Sequence, residues 1–187
     1  MMLLVPLVVV VLVALWVIGT YNRLVGLRNQ AANGWRQIDV QLKRRHDLIP
    51  NLVNTVKGVM EFERDTLTGV VEARAKAMSA TGPADAARKE GELSQALGRF
   101  FALAENYPQL HANENVKMLQ EELSSTENKI GFARQFYNDI ATKYNISQQT
   151  FPANLIASSF GFTPAELFEI TDATERAVPV VDLSMKK

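Results

Sequence analysis

His46 and His111 are the only histidines among 187 residues, and there is no cysteine. That bounds the chemistry. Without thiols there is no disulfide, no thiolate metal site and no cysteine nucleophile. A di-metal carboxylate bundle needs Glu-x-x-His on two helices, and neither histidine follows a glutamate at that spacing. His111-Ala112-Asn113-Glu114 has the reverse order. There is no glycine-rich phosphate loop and no nucleophile elbow. A catalytic triad would have to use one of the two histidines, and neither has a partner evident in the sequence. No metal or cofactor is expected.

The strongest polar constellation is Arg44-Arg45-His46-Asp47 leading into Leu48-Ile49-Pro50-Asn51. Asp47 and Asn51 are four apart and share a helix face. Pro50 cannot donate a bond back to His46 and crowds its carbonyl, so a kink or local loosening is expected. In one reading, freed carbonyls with Asp47 and Asn51 form a polar site for an ion or partner. In the other, Asp47 and Asn51 pair with Arg134 or Asn138 on a facing helix and set its register. The second is preferred, because buried polar groups must be paired. The candidate cluster is then Arg45, Asp47, Pro50, Asn51, Arg134 and Asn138, and Asp47→Ala should lower the melting temperature. Tyr107, Phe136, Tyr137, Tyr144 and Phe151 read as bundle core rather than as an aromatic binding box. Glu121, Glu122 and Glu127 read as a solvated face that meets basic residues of the first helix.

These groups must be carried by helices. Apolar residues recur from Leu24 through Ile38, Leu42, Ile49, Val56, Met60 and Leu67 to Val71 in steps of three, four and seven. That period predicts one amphipathic helix over 23–78 with a seam close to a coiled-coil heptad. Residues 79–84 break the pattern, with Asp85 a candidate cap. A second helix is expected from about Ala86 to Tyr107, stopped by Pro108. A third runs from a cap at Asn113 to about Tyr144. Thr163-Pro164-Ala165-Glu166 has the form of a capping box, which predicts a short helix over Ala165 to Ile170. No alternating strand pattern is present. The fold class is all-α: an N-terminal transmembrane helix followed by an antiparallel three-to-four-helix bundle with a very long first helix. A first helix that overhangs its partners would need cover from another subunit or a membrane surface.

The membrane assignment comes from Met1 to Ile18, which carry no charge. A helix over residues 1–20 is about 30 Å long, the thickness of a hydrocarbon core. Leu3, Leu4, Val8, Leu12 and Trp16 represent the anchor, with Trp16 and Tyr21 near one headgroup level. A cleaved signal peptide would need a basic n-region and a small-residue cleavage site; neither is present, and lipidation after cleavage would need a cysteine. The expected organisation is an anchor over 1–20, a bundle over 21–176 and a tail over 177–187. Arg23, Arg28, Arg36, Lys43, Arg44 and Arg45 follow the anchor, opposed only by Asp39. The positive-inside rule puts the amino end outside the inner membrane and the bundle in the cytoplasm, the alternative being a periplasmic bundle. Arg23, Arg28 and Arg36 are candidates for anionic headgroups. Twenty basic residues balance twenty acidic ones, so no nucleic-acid partner is expected.

Tyr21-Asn22-Arg23-Leu24-Val25 and the stretch from Trp35-Arg36-Gln37-Ile38-Asp39 to Pro50-Asn51-Leu52-Val53 resemble the LemA family. So do Glu105-Asn106-Tyr107-Pro108, the segment Leu119 to Ile130, Ala133-Arg134 with Tyr137-Asn138, Tyr144-Asn145, and Phe151-Pro152 with Gly161-Phe162. The resemblance spans about Tyr21 to Phe168. The family pattern often has an aromatic followed by His-Glu where this chain reads Met60-Glu61-Phe62-Glu63. The resemblance implies a membrane-anchored helical bundle. Some members resemble proteins that shape magnetosome membranes, others are associated with a membrane-bound zinc protease, and some look like lipoproteins with the bundle outside the cytoplasm. It implies no reaction. The function expected is a non-enzymatic scaffold or adaptor at the membrane that self-associates through the first helix. One alternative is an adaptor for another membrane protein such as a membrane-bound protease. A second is an enzyme with a polar site around Asp47, Asn51 and Arg134. Membrane lipid and second copies of the chain are the partners expected.

Overall fold

The apolar run and the amphipathic seam behind it form one unbroken helix in the computed structural model, which describes residues 4–58 and 64–169. This helix, α1, spans Leu4–Val56 and passes through Pro50. Its first part buries nothing: Leu4, Val8, Leu12 and Trp16 are 66%, 48%, 60% and 42% exposed. That part is long and apolar enough to cross a membrane. From Leu24 onward the same helix buries a stripe through Ala31, Ile38, Leu42, Ile49, Leu52 and Val56. Leu3, the Met60–Glu63 stretch and the tail over 177–187 lie outside the described residues.

The helix expected over 23–78 is two helices. The chain turns at Lys57 and Gly58, and α2, Arg64–Met78, packs chiefly against the helix that follows it. Glycine is the poorest helix former after proline, so a turn at Gly58 costs little. The apolar period runs across the break because both pieces bury one face in the same core, and periodicity alone cannot tell a fold-back from an extension. The seam expected to overhang is covered from Leu24 upward.

The next helix, α3, spans Gly82–Ala104, with Thr81 at the N-cap position. Asp85, expected as the cap, lies inside the first turn. Its carboxylate accepts from the Thr81 N–H at 3.0 Å and pairs with Lys89 at 2.8 Å. The hydrogen bond from Lys89, then that from the Thr81 N–H, holds the Asp85 carboxyl down to about 2. A single turn, α4, Pro108–His111, follows. The Asn113 side chain accepts from the Asn115 and Val116 N–H groups and starts α5, Glu114–Gln149, which runs past the expected end at Tyr144. After Pro152 comes α6, Ala153–Ser159.

The two long helices α1 and α5 run antiparallel side by side, while α2 and α3 form a hairpin over the half far from the apolar run. Gly34 lets the long pair close up: a Cβ there would stand 3.3 Å from the Tyr137 Cα. Two apolar cores result among the described residues. The upper one joins Ile49, Leu52 and Val56 to Val70, Leu93, Phe100 and Leu123. The lower one joins Ala31, Ile38 and Leu42 to Ala86, Ala87, Tyr137, Ala141 and Phe168.

The expected helix after Thr163 does not form; residues 162–169 carry no helix. They run back along α5 as a strap. The Tyr144 hydroxyl donates to the Thr163 carbonyl at 3.0 Å and the Tyr137 hydroxyl to the Glu166 carbonyl at 2.6 Å. Asn145 bonds both the N–H and the C=O of Ala165, and Asn138 does the same for Phe168. A capping box would need those backbone groups for its own turn, and a partner helix has taken them.

Candidate functional site

Between the two apolar cores lies a charged layer. Each helix that crosses it changes character for about one turn. On α1, Arg45 and His46 fall between Leu42 of the lower core and Ile49 of the upper; on α3, Glu90 falls between Ala87 and Leu93; on α5, Thr126 falls between Ile130 and Leu123. The Glu90 side chain is only 3% exposed. One of its oxygens accepts from Arg45 Nη1 at 3.2 Å and the other meets His46 Nε2 at 2.6 Å. Arg45 also donates to Ser94 Oγ at 2.8 Å and pairs with Glu127 at 3.0 Å. The Thr126 hydroxyl turns back to the Glu122 carbonyl, and Glu122 pairs with Arg44 outside the layer at 2.7 Å. A charge is tolerated in a helical interior only when paired and hydrogen-bonded, and here both Nη groups of Arg45 and both oxygens of Glu90 have partners.

Pro50 sets the neighbouring feature. It leaves the His46 carbonyl without its helical donor, and Arg74 of α2 supplies one, its Nε donating to that oxygen at 2.6 Å. The carbonyl freed by the proline is therefore met by a side chain, and α1 continues through the point where a kink or loosening was expected.

Of the sequence-derived cluster, Arg45 lies at the centre of the layer and Pro50 beside it. Asp47 and Asn51 are exposed, and among the described residues neither side chain makes a hydrogen bond or ion pair. They do not meet Arg134, which is half-buried, or Asn138, which serves the strap. The pairing expected of Asp47 and Asn51 is made instead by the residues one and two positions before Asp47. A four-residue spacing defines a face but not its azimuth, and the face carrying Asp47 and Asn51 is the one turned to water. Glu90 and Ser94 had no signal beyond being polar on the apolar stripe of α3. Glu122 and Glu127 do meet arginines of α1. Tyr137 and Tyr144 are buried as expected, whereas Phe136 and Phe151 are 46% and 77% exposed. Arg23 is exposed; the Arg28 guanidinium lies 5.3 Å over the Phe162 ring; Arg36 donates to Asn33.

The strap is the second arrangement of note. Tyr-Asn recurs at a seven-residue interval on α5, and its partners recur at a three-residue interval on the strap: Thr163 with Glu166, Ala165 with Phe168. Seven helical residues rise about 10.5 Å and three extended residues about 10 Å, so the two periods match. Burial pushes both phenols up; the Glu166 carboxylate adds to this at Tyr137, and Arg28 opposes it at Tyr144.

Open concavities lie elsewhere. A groove of about 500 Å³ on the outer face of α1 and α5 is lined by Val40, Gln41, Phe132 and Phe136. Val40 and Phe132 are 62% and 74% exposed, and Gln41 Oε1 is buried there without a hydrogen-bond partner. Among the described residues no three His, Asp or Glu side chains are placed to hold a metal ion.

The LemA family model matches residues 34–183, a span that takes in the charged layer and the strap. Protein LemA of Metamycoplasma hominis is 26% identical over 159 residues, 83% of this chain and 71% of that protein. Magnetosome protein MamQ 2 of Paramagnetospirillum magneticum is 25% identical over 175 residues, 80% of this chain and 64% of that one. Magnetosome protein MamQ of Magnetospirillum gryphiswaldense is 24% identical over 174 residues. The chain thus spans just under two-thirds of the MamQ proteins' length.

Proposed function

The chain belongs to the LemA family, and from that footing we propose that it is a membrane-anchored helical scaffold, with the bundle on the cytoplasmic face. The observation that carries this reading is the continuity of α1. The same 53-residue helix is an uncovered apolar rod at one end and the spine of the bundle at the other. An unbroken helix transmits orientation, so whatever docks on the bundle is held at a set angle and distance from the lipid. The charged layer supports a structural role: its buried groups are spent on one another.

A scaffold needs a contact surface, and the α1 seam is covered. One exposed surface on the bundle wall is the outer groove of Val40, Phe132 and Phe136, an apolar strip between Arg36 and Lys129. Strips of this kind mark protein contacts. Self-association through it, or docking of another membrane protein there, completes the reading; the magnetosome names of the MamQ relatives are consistent with work at a membrane. The test is the assembly state of the full chain in lipid nanodiscs and in detergent. The wild type should assemble beyond a monomer or capture one stoichiometric partner, and Phe132→Asp should abolish that with an unchanged melting temperature. A strictly monomeric wild type with no partner at micromolar concentration would sink the proposal.

A further inference from the structure

The end of the bundle nearest the apolar run is built differently from the rest. Tyr21, just past that run, packs its ring 4.9 Å from Phe160 and 5.7 Å from Phe162. These contacts hold α6 at the level where α1 leaves the bundle. Around α6 the large apolar side chains turn outward: Phe151, Leu155 and Phe160 are 77%, 57% and 57% exposed. Three such residues at one tip are a hydrophobic patch with a cause to find.

The charge pattern bears on what could cover it. All twenty acidic residues lie between 39 and 139 or from Glu166 onward. The two stretches that make this tip, 1–38 and 140–165, hold none. They do hold Arg23 and Lys143, both exposed. A tip that is apolar, has a basic fringe and carries no carboxylate among the described residues fits an anionic bilayer surface, where rings and Leu sit at the acyl boundary and Lys and Arg at the headgroups. The exposed apolar run of α1 leaves the bundle beside this tip and is long enough to cross a membrane, which sets the tip at the bilayer surface and favours lipid over an acidic protein partner.

We propose that Phe151, Leu155 and Phe160 form a second membrane contact, dipping into the interfacial zone of the same leaflet through which α1 emerges, with Arg23 and Lys143 at its headgroups. This rests on the reading of α1 as a membrane anchor. Two contacts at different points fix the tilt of the bundle, which a lone helix cannot do.

The absence of cysteine makes the test clean. Single variants Phe151→Cys, Leu155→Cys, Leu12→Cys and Met118→Cys of the full chain carry an environment-sensitive dye in vesicles of phosphatidylcholine and phosphatidylglycerol, with bromine on the acyl chains as quencher. Positions 151 and 155 should lose about half or more of their emission to shallow bromines, as an interfacial side chain does, and position 12 to deep ones. Position 118, exposed on α5, should lose none. Quenching at 12 with 151 and 155 behaving like 118 overturns the second contact and leaves the anchor standing. No quenching at 12 overturns both. Dye–dye quenching at 151 that needs no bromine would mean a second copy covers the tip, and would overturn the lipid assignment.

Discussion

Glu90 and Asp47 are both carboxylates beside α1 arginines, and the structure separates them. Removing the Glu90 carboxylate leaves the Arg45 guanidinium buried beside an empty space, a loss of about 3–5 kcal/mol for a broken buried pair. Glu90→Ala should therefore lower the unfolding midpoint in urea steeply. Glu127→Ala, which removes the half-exposed partner of the same arginine, should cost about 0–1 kcal/mol. Asp47→Ala should be within about 0.5 kcal/mol of wild type, against the sequence expectation; a large loss there would mean that the buried cross is not where stability resides. Arg74 and Pro50 form a second residue-scale pair. Arg74→Met strips the His46 carbonyl of its donor and should cost about 1–3 kcal/mol. Pro50→Ala restores a helical N–H to that carbonyl, so the same Arg74→Met change should cost much less in that background. Equal losses in both backgrounds would refute the compensation.

At the scale of elements, the strap is held by side chains rather than by backbone ladders, so it should come off without unfolding the bundle. Asn138→Ala removes both bonds to Phe168. Amide exchange at residues 163–168 should then accelerate while α5 stays protected, and the bundle should lose about 1–3 kcal/mol. The phenols add a pH dependence. The Tyr137 and Tyr144 hydroxyls have raised pKa values because burial favours the neutral donor form. Their contribution is intact below the ordinary tyrosine range near ~10 and is lost as pH rises through the raised values. Strap exchange should therefore rise with phenolate absorbance above that range, and Tyr137→Phe with Tyr144→Phe should remove the link. These elements also mark how far the sequence could be read. The long helices, the Asn113 cap and the burial of Tyr137 and Tyr144 followed from period and local chemistry. The α1–α2 fold-back did not, because two helices sharing one core keep one period across their break. The strap did not, because Thr163–Glu166 satisfies the local rule for a helix start, and only a Tyr-Asn pair recurring seven residues apart on a distant helix overrides it. Of the charged layer the sequence showed only that Arg45 belongs to a polar cluster, because which face of α1 turns inward depends on where Glu90 sits in space.

For the whole molecule the question is whether the spine of α1 remains a rigid standard in lipid. From Tyr21 to Val56 an unbroken α-helix rises about 50 Å. Pro50 is a position that could make it a hinge, and the Arg74 bond to the His46 carbonyl braces it from α2. The charged layer braces the same level from α3. A donor dye at Lys57→Cys, with acceptor-labelled lipid in vesicles, should therefore report a height of roughly 50 Å, less whatever tilt the helix adopts. A bundle lying along the bilayer would give less than half that height and would contradict the rigid-spine reading. The same cysteine fixes the side. With six basic residues between Arg23 and Arg45 on the bundle side of the apolar run, the proposed orientation requires that it resist a membrane-impermeant maleimide in intact cells and react once the inner membrane is opened. Labelling in spheroplasts before opening would place the bundle outside the cytoplasm, and the basic cluster would then have to be explained by its ion pairs alone.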